Sequence, residues 1–93
     1  MKAKFNETVI AESDRAVVIE GNYYFPPDSV KREFLRASEF HTSCPRKGEA
    51  NYYSLAVNGN RIADAAWYYP NPGETAEQIK NYIAFWKGVK VVE

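Results

Sequence analysis

Period-two alternation of apolar and polar residues, with several short β-branched and aromatic runs, marks the chain as strand-rich. The clearest case is Asn51 to Val57, where Tyr53, Leu55 and Val57 share one face. Asn58-Gly59 follows, and both central residues of a type I′ turn need positive φ, which Asn and Gly tolerate. Ile62 to Tyr69 returns. A two-residue turn then sets Leu55 opposite Ile62 and Tyr53 opposite Asp64, with Trp67 lying further on. Upstream, Thr8 to Ser13 and Arg15 to Glu20 are β-branched runs on either side of Ser13-Asp14 and predict a second hairpin. Tyr23-Tyr24-Phe25 predicts a short strand that Pro26-Pro27 stops, since proline cannot donate to a ladder.

Helical signals are sparse. Asp28 is a candidate cap for a turn at Ser29 to Lys31, while Glu33 to Arg36 also fits a strand with Phe34 inward. Thr75 and Gln78 have capping-box spacing. The expectation is a short helical segment near Ala76 to Lys80, then a hairpin pairing Tyr82 to Trp86 with Val89 to Val92. Ile79, Tyr82, Ile83 and Trp86 also have helical spacing, so Tyr82 to Trp86 reads as strand or helix. Ala37 to Ala50 has no periodicity and reads as a long loop. Such a loop in a small domain is often functional.

Seven or eight short strands and one short helical segment predict a mainly β single domain over residues 1–93. A chain this short has little core to spare. Seven tyrosines, five phenylalanines and two tryptophans supply it, and a tyrosine ring needs a partner for its hydroxyl. Twelve basic and twelve acidic residues cancel, so nucleic acid is not an expected partner. One cysteine allows no internal disulfide and no cysteine-rich zinc site, so no metal or cofactor is expected. No stretch is apolar enough to span a membrane and Met1 to Asn6 lacks a signal-peptide core, which makes cytoplasm the expected compartment.

Chemistry concentrates in three places: His41-Thr42-Ser43-Cys44-Pro45-Arg46-Lys47-Gly48, Tyr52-Tyr53, and Ala66-Trp67-Tyr68-Tyr69-Pro70. With Val17 to Pro27, Arg32-Glu33-Phe34-Leu35, Asp64-Ala65 and Ile83-Ala84-Phe85, they make the chain resemble, over nearly its whole length, the family known as domain of unknown function 427. The resemblance implies a β-tent (Mss4-like) arrangement of antiparallel sheets, similar to methionine sulfoxide reductase B and cereblon ligand-binding domains. Zinc-holding cysteine pairs of such relatives are missing here. Arg46 stands where the family commonly has an aromatic, though a guanidinium can also stack on a ring. The nucleotidyltransferase label attached to the family finds no support in the residues, which include neither a phosphate-binding glycine loop nor a close carboxylate pair.

The best reading is a small-molecule-binding domain whose pocket lies between the Tyr53–Trp67 hairpin and the His41–Gly48 segment. Trp67 and Tyr53 would be walls, Lys47 and Arg46 cationic contacts, and Tyr24, Trp86 and Glu20 further lining groups. Each has a plainer role: core aromatics, solvated loop cations, and a strand-end charge for Glu20. An alternative makes Cys44 a nucleophilic or redox thiol with His41 as base and a nearby cation favouring the thiolate. Against it stand a small buried cysteine and a histidine held by a structural hydrogen bond. A third reading is a non-catalytic interaction module, monomeric or homodimeric, with exposed aromatics as its interface. Pocket formation requires Trp67 and Lys47 to share one concavity.

Overall fold

The computed structural model describes residues 1–45 and 47–93, with Thr75 described by its backbone. Arg46 and the side-chain half of the Thr75–Gln78 capping box therefore lie outside the described residues. Nine strands make three antiparallel sheets among those residues. In chain order they are β1 (Lys2–Phe5), β2 (Thr8–Glu12), β3 (Val17–Ile19), β4 (Asn22–Tyr24), β5 (Leu35–Cys44), β6 (Gly48–Val57), β7 (Asn60–Tyr68), β8 (Ala84–Phe85) and β9 (Lys90–Val92). The sheets run β2-β1-β9, β3-β4 and β5-β6-β7-β8. The domain is mainly β, as the alternation predicts.

Among the described residues helical structure is limited to short 3-10 segments at Pro27–Ser29, Arg32–Phe34 and Glu74–Ile79. There are three where the sequence predicts one. Asp28 sits inside the first of them rather than capping it, and no side chain caps that segment. Phe34 closes the second, and the strand starts at Leu35. The third is preceded by Gly73 as its cap residue. No helix among the described residues is long and apolar enough to cross a membrane.

The largest correction concerns 37–50, which is not a loop. Most of it belongs to β5 and β6, paired as His41↔Asn51, Thr42↔Ala50, Ser43↔Glu49 and Cys44↔Gly48. β5 is an edge strand with one fully buried residue, Leu35. Both of its faces are largely wet, so no hydrophobic alternation marks it. Two predicted hairpins also exchange partners. β2 pairs with β1, and β3 pairs with β4. β8 pairs with β7, and β9 crosses to β1. Adjacent runs still pair in β1–β2 and β3–β4, one run earlier and one run later than expected, whereas β8 and β9 join long-range ladders.

The Asn58-Gly59 hairpin forms with Leu55 opposite Ile62. Beyond Leu55 the register shifts, so Tyr53 faces Ala66 rather than Asp64. The two extra residues in β7 bulge around Asp64, whose φ of 55° is one that Asp tolerates better than most residues. The Ser54 hydroxyl accepts from the Asp64 amide at 3.1 Å, and the Ser38 hydroxyl donates to its carboxylate at 2.5 Å. β5 bulges at the same level, between Ala37 and His41.

A two-residue bulge preserves which side each residue faces. One face of the long sheet therefore contributes Leu55, Val57, Ala66 and, in part, Tyr53 to a core with Phe5, Ile10, Phe25, Ile83 and Phe85. The other contributes Ala50, Tyr52 and Trp67 to a second cluster with Tyr24, Tyr69, Ile79 and Ala84. Each fully buried Leu, Ile or Phe stabilises by roughly 1.5–3 kcal/mol. The first cluster anchors the fold, and the second borders an opening.

Candidate functional site

The second cluster does not close. It leaves a cavity of about 320 Å³, lined by Glu20, Asn22, Tyr24, Cys44, Lys47, Tyr52, Trp67, Tyr69 and Trp86. That volume is in the lower range of small-molecule sites. The shape follows from the strands. Tyr52 and Trp67 are cross-strand partners on β6 and β7, so their rings project to the same side. β4 brings Tyr24 against them. Its ring meets Trp67 edge-on at 6.2 Å, and its hydroxyl accepts from Trp67 Nε1 at 3.4 Å.

Trp86 forms the lip. It is 44% exposed yet held in place. Its Nε1 donates to the Asp64 carbonyl at 2.6 Å, and its ring stands edge-on to Trp67 at 5.9 Å. The Lys87 ammonium lies 5.0 Å from the Trp86 ring centre and donates to the Ala63 carbonyl. The β7 bulge thus supplies the carbonyls that orient an otherwise wet tryptophan. Edge-on aromatic pairs of this kind add about 0.5–1.5 kcal/mol each beyond burial.

Glu20 and Lys47 are the ionic groups among the described lining residues, and they pair with each other. The Lys47 side chain is 9% exposed and that of Glu20 57%. Burial alone would lower the lysine pKa. The hydrogen bond to Glu20 outweighs it, with help from Tyr24 and Cys44, and the pKa is raised. Gly48 follows Lys47 in a tight, left-handed backbone. Its φ is +93°, and a Cβ there would come 2.9 Å from the Asn71 carbonyl oxygen. Burial pushes the Tyr69 hydroxyl far above the ordinary tyrosine range, and the neighbouring Tyr24, Cys44 and Tyr52 add to the shift.

Of the residues singled out in the sequence, Lys47, Trp67, Tyr24, Glu20 and Cys44 meet in this cavity. Tyr53 does not line it. Strand parity puts Tyr53 on the opposite face, stacked on Tyr68 at 4.9 Å, with its hydroxyl accepting from Arg32. Burial raises its pKa, with Tyr68 contributing. Tyr52 is the wall in its place. His41 is exposed and donates through Nδ1 to Asn51 Oδ1 at 2.8 Å. Three residues apart on a strand, His41 and Cys44 face opposite sides. Thr42, on the Cys44 side, bonds the Tyr52 hydroxyl at 3.1 Å.

Asn22, Tyr52, Tyr69 and Trp86 complete the lining. Tyr52 was readable from parity alone, because position 67 shares a side with 52 and not with 53. Trp86 is already a candidate among the aromatics, whereas the places of Asn22 and Tyr69 depend on long-range packing. No three His, Cys, Asp or Glu side chains among the described residues cluster as a metal site would require.

Fold and site define a small antiparallel β domain with an aromatic-walled cavity and the Glu20–Lys47 ion pair in its wall. The chain belongs to the family described as domain of unknown function (DUF427), whose model matches residues 1–93. No functionally curated protein matches the chain.

Proposed function

We propose that the cavity is a binding site for a small, flat molecule held between aromatic rings. The observation that carries this reading is the meeting of Trp67 and Lys47, far apart in sequence, in one concavity. Core packing explains buried rings. It does not explain why Trp86 stays exposed while being held by a hydrogen bond at the rim. It also leaves unexplained a lysine buried beside an opening, because an ammonium is costly to bury when a short movement would hydrate it. Tyr52, Trp67 and Trp86 offer π faces and edges for stacking, and the ion pair offers one polar anchor.

Native mass spectrometry for a co-purified molecule, followed by thermal-shift screening of metabolites, tests the reading. A binder raises the Tm of the wild-type protein by mass action, and Trp67→Ala abolishes that rise. Screening hits that shift both proteins equally would place binding elsewhere.

A second reading rests on Cys44, which is half-buried in the cavity lining rather than in the main core. It makes the thiol a nucleophile or redox group, with the cationic neighbour being Lys47 and without His41 on its side of the strand. Iodoacetamide labelling separates the two. A thiol unreactive in the folded protein up to pH 9 removes the second reading and leaves the first intact.

A further inference from the structure

Resting on the binding-site reading, we infer that the molecule taken up is a small aromatic or conjugated carboxylate, and that its carboxylate replaces Glu20 as the partner of Lys47. The ion pair is asymmetric. The Lys47 side chain is almost fully enclosed, while the Glu20 side chain is more than half in water. The ammonium therefore sits inside the cavity wall, while its partner stands at the solvent side. Glu20 stands on the two-residue turn between β3 and β4, where an exposed carboxylate exchanges partners at a lower desolvation cost than the enclosed ammonium.

An enclosed ammonium must keep an anion beside it. Glu20 therefore leaves only when another anion arrives. Among the described lining residues the cationic group is a single ammonium, which one carboxylate matches and a phosphate dianion exceeds. Charge is conserved in the exchange, so its electrostatic balance is close to even. The ring of the incoming molecule tips that balance by stacking among Tyr52, Trp67 and Trp86, and a cavity of about 320 Å³ suits one or two rings. Glu20 then acts as a resident counter-ion. It keeps the unliganded site stable and rejects molecules that bring a ring without an anion.

The test uses benzoate, benzamide and benzylammonium, which share a ring and differ in charge. The full chain, labelled with ¹⁵N, is titrated while the two indole N–H signals, from Trp67 and Trp86, are followed; both line the cavity. Benzoate should bind at least tenfold more tightly than benzamide, and benzylammonium more weakly still. Glu20→Gln should tighten benzoate roughly three- to tenfold, by removing the competing anion, and leave benzamide unchanged. Lys47→Met should erase the preference for benzoate. The inference is overturned if the three probes bind alike, or if Glu20→Gln weakens benzoate; in both cases the cavity still binds rings and the broader reading survives. Indole signals unmoved by all three probes, in the wild type and both variants, would sink the broader reading and this one with it.

Discussion

Two hairpin turns in this protein share a backbone and differ in their first residue. Asn58-Gly59, between β6 and β7, has φ values of 50° and 85°, and Glu20-Gly21, between β3 and β4, has 54° and 81°. Asn is a preferred residue for the first position, and glutamate is not. The Asn58 turn stands away from the cavity, where its side-chain amide donates to the Thr8 hydroxyl of β2. The Glu20 turn carries a carboxylate to Lys47. One turn is made for pairing strands, and the other gives up about 1 kcal/mol of backbone preference to place a charge. Two more charged residues, Lys47 and Lys87, precede positive-φ glycines beside the same opening. Asn6-Glu7 shows that a glutamate at positive φ also occurs away from the cavity. The difference is therefore in what the side chain reaches, not in the strain alone.

Glycine substitutions sharpen the contrast most. Gly48→Ala should destabilise by about 2–3 kcal/mol, since it adds a clash with the Asn71 carbonyl to an unfavourable φ. Gly59→Ala meets nothing within 4 Å and should cost about 1 kcal/mol. Urea unfolding of both variants checks the pair, and equal losses would mean that the Lys47 turn is no more confined than the distant one.

Alkaline pH probes the cavity side next. The Tyr69 and Lys47 pKa values are both raised by folding. Below pH 10 the protonated forms are present in folded and unfolded chains alike, and the full stabilisation is retained. Above it the unfolded chain releases protons that the folded one keeps, so stability falls until the folded pKa values are passed. The loss should be on the order of 1 kcal/mol per group for each pH unit above 10. Tyrosine absorbance should show a late-ionising component that disappears in Tyr69→Phe. Loss of stability beginning well below pH 9 would contradict these assignments.

The legible and illegible parts of the chain divide along a physical line. Local chemistry could be read: the Asn58-Gly59 turn, the Leu55–Ile62 pairing, and the opposite facing of Tyr53 and Trp67 implied by parity. The β5 strand could not, because an edge strand wet on both faces has no pattern to show, and treating it as a loop let His41 and Cys44 approach one another on paper. Non-local pairing was equally hidden. Nothing near Lys90 to Val92 announces β1 as its partner, and the bulge around Asp64 depends on serines from two other strands. The cavity came within reach of sequence reasoning because Trp67 and Lys47 are unusual where they stand. Its wall was misassigned from Tyr52 to Tyr53 by one residue, which on a strand is a whole face.

The claim beneath all of this is that Glu20 occupies a poor turn position in order to hold Lys47, and a double-mutant cycle of Glu20→Asn and Lys47→Met measures it. In the wild-type background, Glu20→Asn should lower stability by about 1 kcal/mol, because the enclosed ammonium loses its partner. In the Lys47→Met background the same substitution should raise stability by about 0.5–1 kcal/mol, because only the turn preference remains. A change of the same sign and size in both backgrounds would mean that the two side chains are uncoupled, and that the pairing at the cavity wall does not explain the turn.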